Sequence, residues 1–154
     1  MGNPAEIVIR RASPGDLGRL LPLVRAYREF YAQNPNDART REFVDSHLRN
    51  GTSTIYLAEA AGDAVGFSQM FRSFSTVHLA PVWILEDLFV EPLYRGAGIA
   101  TALLARAVEH AKDDRAGGMF LETAYDNDAA QRVYERAGWT REGRFYKYNA
   151  PLDG

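Results

Sequence analysis

The chain contains no cysteine. That excludes a disulfide framework, a thiolate nucleophile and Cys-ligated zinc, and leaves no need for an oxidising compartment. It has only three histidines, His47, His78 and His110, scattered too widely to suggest a metal site. No apolar run approaches the roughly 18 residues of a membrane span, and the start, MGNPAEIVIRR, lacks the apolar core of a secretion signal; the chain reads as a soluble cytoplasmic protein. Met1-Gly2 superficially opens like a myristoylation signal, but Glu6 stands where Ser or Thr is required. Charge of one sign is also missing. The 18 basic and 20 acidic residues nearly cancel, to a net charge of -2, so neither nucleic acid nor a membrane surface is expected as the main partner. No Ser/Gly/Pro-rich linker divides the 154 residues, which are read as one domain, 1–154, with a full core.

The hydrophobic pattern predicts a mixed α/β order. Ile7-Val8-Ile9 is a short β-prone run. Ser13, Pro14 and Asp16 read as an N-cap, a first-turn proline and an acid at the positive end of a helix. That helix is expected from about Pro14 to Tyr31, with Leu17, Leu20, Leu21, Val24 and Phe30 on its apolar face and a kink or break at Pro22. A second helix is expected over Ala38 to Arg49, ending at Asn50-Gly51. Ser53–Ala60 and Ala64–Arg72 form a hairpin about Ala61, Gly62 and Asp63, and Ser73–Pro81 reads as an exposed loop on the substrate side.

The central stretch is Val82 to Leu104. An apolar strand, Val82–Val90, leads into the turn Arg95-Gly96-Ala97-Gly98 and then into a helix whose Ala100, Leu103, Leu104, Ala107, Val108 and Ala111 share one face. Two glycines at a helix start leave backbone N–H groups unshielded, and the helix dipole adds to their attraction for an anion such as a pyrophosphate. Taken alone so short a turn is an ordinary strand-to-helix connection as readily as a phosphate cradle. Met119–Thr123 is a further strand, parallel to Val82–Val90 across a right-handed crossover, so the unit is βαβ. Asn127 or Asp128 caps a helix reaching Ala137, which Gly138 terminates. Trp139-Thr140 and Phe145–Tyr148 are expected as a last strand pair, whose aromatic residues suit a dimer interface.

Arg95-x-x-Gly98-x-Ala100, preceded by Leu85-Glu86-Asp87-Leu88-Phe89-Val90 and followed by Asn127, Ala130, Tyr134 and Gly138-Trp139, closely resembles the GNAT superfamily of N-acetyltransferases. The similarity spans roughly Ala64 to Tyr148, and the order and spacing of several motifs carry it. Two positions depart mildly: Ala100 stands where Gly is equally familiar, and Trp139 where Phe is commoner. The resemblance implies the GNAT acyl-CoA N-acyltransferase fold, with a central βαβ unit and splayed parallel strands. It also implies acetyl-CoA as co-substrate, no metal, and a homodimer. The pyrophosphate would lie on the backbone of Arg95, Gly96, Ala97, Gly98, Ile99 and Ala100. The pantetheine arm would run along Leu88, Phe89 and Val90 between the splayed strands, with Asn127 hydrogen-bonding the cofactor and Tyr134 acting as general acid beside the departing sulfur.

A tyrosine of pKa about 10 is a poor proton donor to a thiolate whose conjugate acid resembles a thiol of about 8.5, so stabilisation of the sulfur charge by hydrogen bonding is the larger part of that role. Tyr94, Tyr125, Tyr146 and Tyr148 are alternatives to Tyr134. Glu86 and Asp87 are adjacent carboxylates in an apolar strand, costly unless they face solvent, a partner or a site. Strand alternation sends them to opposite faces, so one meets the amine; a β-bulge, which this family often has in that strand, changes the facing. The Leu-Glu-Asp order resembles the diamine and polyamine acetyltransferase branch, where the Glu is the base, usually through water. Glu86 is therefore the candidate base, with an ion pair as the competing structural explanation. The expected reaction is acetyl transfer to a primary amine of a small molecule: a diamine, a polyamine or an amino-acid-like compound. A protein N-terminus or lysine is the alternative acceptor, and a non-catalytic acyl-CoA sensor the alternative of another class.

Overall fold

A computed structural model describes residues 6–152; the Met1-Gly2 start lies outside them. The elements are strand β1 (Ile7–Arg11), helices α1 (Leu17–Phe30) and α2 (Asp37–Asn50), strands β2 (Thr54–Ala60), β3 (Asp63–Ser75) and β4 (Ala80–Val90), helix α3 (Ile99–Asp113), strand β5 (Gly118–Phe120) and helix α4 (Asp128–Arg136). The five strands form one sheet in the order β1-β2-β3-β4-β5. Neighbours are antiparallel except β4 and β5, which are parallel across α3.

One sheet face packs on α3 through Tyr56, Met70, Trp83, Leu85, Leu103, Leu104 and Ala107. The other packs on α1 and α2 through Leu20, Leu23, Val44, Leu57, Phe67 and Phe89. Leu20, Leu57 and Leu103 are fully buried, each contributing about 1.5–3 kcal/mol of burial energy. Arg10 ties β1 to its surroundings: it chelates Asp16, whose Oδ2 also accepts the Ser13 N–H at 2.8 Å, and it pairs with Glu59 of β2.

The helix ends follow the local signals. Gly51 (φ 64°) and Gly138 (φ 90°) occupy the left-handed region after α2 and α4, where a Cβ is disfavoured. Asn36 and Asn127 cap α2 and α4, each accepting a backbone N–H three residues on. Ala61 and Gly62 both have positive φ and make the two-residue β2–β3 turn.

Several elements differ from the pattern. The α1 segment starts as a 3-10 turn over Pro14–Asp16, and the helix is not broken at Pro22. The carbonyl that Pro22 cannot satisfy belongs to Gly18, and both residues are exposed, so that carbonyl is open to solvent. Phe30 is 58% exposed; Tyr27, one turn earlier, takes the inward position against Phe67 and Phe89. The segment Ser73–Pro81 is largely strand, because β3 runs to Ser75 and β4 begins at Ala80.

Beyond β5, which is confined to Gly118–Phe120, no further strand occurs among the described residues. Trp139 packs on the core, but Phe145, Tyr146 and Tyr148 are exposed. Arg144 folds back on Glu142 through its backbone N–H and guanidinium, which takes that N–H out of any ladder. His110 is likewise no surface residue. Its Nδ1 lies 2.7 Å from the Tyr56 hydroxyl and its ring stacks edge-on to Trp83.

Candidate active site

The site begins where β4 and β5 part. Their pairing is limited to Val82–Ile84 against Gly118–Phe120. The β4 edge from Leu85 to Val90 therefore has no strand partner on that side, and the two strands splay. The end of β4 runs through the 3-10 turn Pro92–Tyr94 into Arg95, whose Nε donates to the Val90 carbonyl at 3.0 Å and holds the turn against the strand. Gly96 and Gly98 each have φ 82°, a conformation that L side chains adopt only under strain. The N–H groups of Gly96 through Thr101 find no carbonyl among the described residues, and Ala102, 3.0 Å from the Gly98 carbonyl, is the first in the segment to do so. Ile99 is buried and anchors the helix start. Unsatisfied donors at the positive end of α3 can receive an anion.

Asn127 and Tyr134 lie on α4 beyond the splay. The Asn127 side chain is used as a cap, its Oδ1 accepting from Ala130 N–H at 3.2 Å; its amide NH₂ remains available. Tyr134 is half-buried, with its ring 6.4 Å from that of Trp139. Burial, with Tyr31 nearby, raises its pKa and keeps its hydroxyl protonated. Of the alternative acids, Tyr125, Tyr146 and Tyr148 are almost wholly exposed, while Tyr94 packs against the α3-side core.

Glu86 and Asp87 do not alternate. Gln69 pairs with Asp87 and Met70 with Leu85, so Glu86 is the extra residue of a bulge in β4. Before the bulge Trp83 and Leu85 face α3; after it Leu88 and Val90 do. The parity is reversed, and Glu86 and Asp87 both line a cavity of about 690 Å³ between the sheet and helices α1 and α2. The expectation that they occupy opposite faces is thus corrected by one inserted residue.

Their environments differ. Glu86 is exposed in the cavity. Asp87 is held by a chain in which Ser53 Oγ donates to Gln69 Oε1 at 2.8 Å and Gln69 Nε2 donates to Asp87 Oδ2 at 2.7 Å. The Tyr27 hydroxyl lies between the Asp87 carboxylate and the Glu86 carbonyl, 3.4 Å from the latter. Burial raises the Asp87 pKa above the ordinary carboxylate value, against the opposing pull of the Gln69 and Tyr27 hydrogen bonds. Burial likewise raises that of Tyr27, with the Asp87 charge adding to it.

The helical wall was not among the residues singled out from sequence. Tyr27 and Arg28 of α1, and Arg39, Phe43 and His47 of α2, all line the cavity. Tyr27 had a local signal, since it continues the spacing of Leu20 and Val24. His47 is held by Thr52, at 2.6 Å, and lies between Phe43 and Phe71. His78 lies in the exposed β3–β4 turn. Among the described residues no group of three or more His, Asp or Glu side chains is placed to hold a metal, and no helix is long and apolar enough to cross a membrane.

Comparison with known proteins agrees with this geometry. The model of the acetyltransferase (GNAT) family matches residues 20–139. The N-acetyltransferase YhfO of Bacillus subtilis, itself uncharacterised, is 35% identical over 140 residues, covering 91% of this chain and 94% of that protein. A thialysine N-epsilon-acetyltransferase of Bos taurus is 28% identical over 145 residues, covering 87% and 84%. The crystal structure of a probable acetyltransferase superposes with a TM-score of 0.90 at 36% identity, over 96% of this chain and 99% of that one. The family uses acetyl-CoA, which the splayed strands and the α3 cradle fit. The chain belongs to the GNAT family and is an acetyltransferase of that type.

Proposed function

We propose that the protein transfers the acetyl group of acetyl-CoA to a primary amine of a small molecule by direct attack within a ternary complex. The observation that carries this reading is the bulge at Glu86. It turns two carboxylates toward one cavity, at the stretch of β4 that has lost its β5 partner.

The co-substrate supplies an acyl group on a good leaving thiol. The chain's own residues supply the rest. Backbone N–H groups from Gly96 to Thr101 hold the pyrophosphate, and the free edge over Leu88–Val90 aligns the pantetheine arm and polarises the thioester carbonyl. Asn127 adds a side-chain contact to the cofactor. An alkyl amine with a pKa near about 10.4 is mostly protonated at neutral pH and must lose a proton before it attacks. Glu86, exposed in the cavity, accepts that proton through water. Asp87 holds the floor beside it. Tyr134 donates its hydroxyl proton in a hydrogen bond to the sulfur as negative charge builds there. Since the chain has no cysteine, an acetyl-cysteine relay has no nucleophile. The resemblance to the family also motivates two companion proposals, a homodimer, which sedimentation velocity tests, and a cytoplasmic location.

Steady-state release of free CoA across a panel of amines and peptides tests the reading. The expected result is amine-dependent release on small acceptors. Release on peptides alone points to a protein acetyltransferase, and CoA binding with no release on any acceptor points to a sensor.

A further inference from the structure

The acceptor cavity is lined by charges of both signs. Its sheet floor presents Glu86 and Asp87, while its helical wall presents Arg28 from α1 and Arg39 from α2. Arg28 is half-buried and spends one N–H on the Asn34 carbonyl at 2.9 Å, leaving most of its five donors unspent. Arg39 uses only its backbone N–H, on the capping Asn36 Oδ1, and its guanidinium has no partner among the described residues. The acids nearest in sequence do not neutralise this pair. Glu29 and Asp37 both face Arg25 in a separate groove on the outer side of α1 and α2. The lining also includes apolar Val24, Phe67, Phe71 and Ile84, beside polar Tyr27, Thr40, His47 and Gln69.

We propose that the acceptor is an amino carboxylate: an amine whose other end carries a carboxylate, held by Arg28 and Arg39, with an apolar spacer between. This rests on the acetyl-transfer reading for the identity of the amine end. A diamine or polyamine meets the site badly. It would need acids along the whole groove, and its second ammonium would face two guanidiniums, a repulsion strengthened by partial exclusion of water. A guanidinium fork, by contrast, matches a carboxylate in both charge and geometry.

The test is isothermal titration of the CoA-saturated protein with three probes of matched length: ε-aminocaproate, hexylamine and hexamethylenediamine. We expect ε-aminocaproate to bind about tenfold or more tighter than hexylamine, as one charge-assisted hydrogen-bonded pair worth about 1.5 kcal/mol or more implies, and the diamine to bind no better than hexylamine. In Arg39→Ala the ratio of ε-aminocaproate to hexylamine affinity should fall about tenfold, and in Arg39→Glu the preference should shift to the diamine. Arg28→Gln should lower the same ratio, and thermal melts of all three variants report whether the fold persists. A diamine that binds as well as ε-aminocaproate in the parent, or a ratio unchanged in the folded variants, overturns the proposal. CoA release on the same probes separates the two readings. Release from hexylamine without carboxylate preference removes the specificity claim alone. Arginine-dependent carboxylate binding with no release from any amine removes the transfer reading and leaves the binding site standing.

Discussion

Replacing Tyr134 with Phe removes one hydroxyl and little else. The ring is half-buried and packs against Trp139 and the α3-side core, contacts that Phe retains. Its hydroxyl has no hydrogen-bond partner among the described residues, so the substitution orphans no buried group. Stability should change by less than about 0.5 kcal/mol, and acetyl-CoA affinity should stay within a factor of about two. Turnover should not. A hydrogen bond to a charged acceptor contributes about 1.5–3 kcal/mol. If that bond forms as charge gathers on the departing sulfur, its loss slows kcat by about 10- to 150-fold at 1.4 kcal/mol per decade. The absence of cysteine makes the assay clean, because a thiol-reactive chromophore then reports released CoA with no protein background. A thioester with a more acidic leaving thiol depends less on the bond and should show a smaller loss. A kcat within twofold of the parent, on an amine that the parent acetylates, would remove Tyr134 from the mechanism.

Three further outcomes follow from the site. Gly98→Val forces an L side chain into φ 82°, costing about 1–2 kcal/mol and shielding the cradle; titration calorimetry should show weakened acetyl-CoA binding, and an unchanged Kd would move the pyrophosphate elsewhere. Glu86→Gln should lower kcat/KM for the amine by about 10²- to 10⁴-fold and abolish the rise in rate with pH on the acidic side; a profile like the parent's would pass the base role to Asp87 or bulk water. Asp87→Asn should raise the melting temperature at neutral pH. Because the folded protein holds the Asp87 proton to higher pH than the unfolded chain does, stability falls as pH rises between the two pKa values, and the full cost is present above the folded one. The advantage of the Asn variant should vanish below the ordinary carboxylate range, and a pH-independent difference would contradict the burial argument.

What was legible in the sequence was local. The glycine turn between an apolar strand and an apolar-striped helix is legible from residue order, and Gly51, Gly138 and Asn127 mark helix ends by residue type alone. The facing of Glu86 and Asp87 was not legible. Strand parity assumes an uninterrupted ladder, and the extra residue is defined only by the β3 partners Gln69 and Met70, more than a dozen positions away in the chain. The cavity wall was hidden for a similar reason: nothing near Arg28 or Arg39 in sequence says that α1 and α2 will cover the sheet opposite Glu86. Phe145–Tyr148 misled in the other direction. Its β-prone composition suggests a strand, but the short β5 leaves little edge for it to join, and Arg144 is committed to Glu142.

The most direct test of the central claim is a crystal structure of the protein with CoA bound. The pyrophosphate is expected on the N–H groups of Gly96 to Thr101, the pantetheine between β4 and β5 along Leu88–Val90, and the sulfur within hydrogen-bond reach of the Tyr134 hydroxyl, opening toward the cavity that Glu86 and Asp87 line. A pyrophosphate bound away from the α3 start, or a sulfur directed away from that cavity, would contradict it.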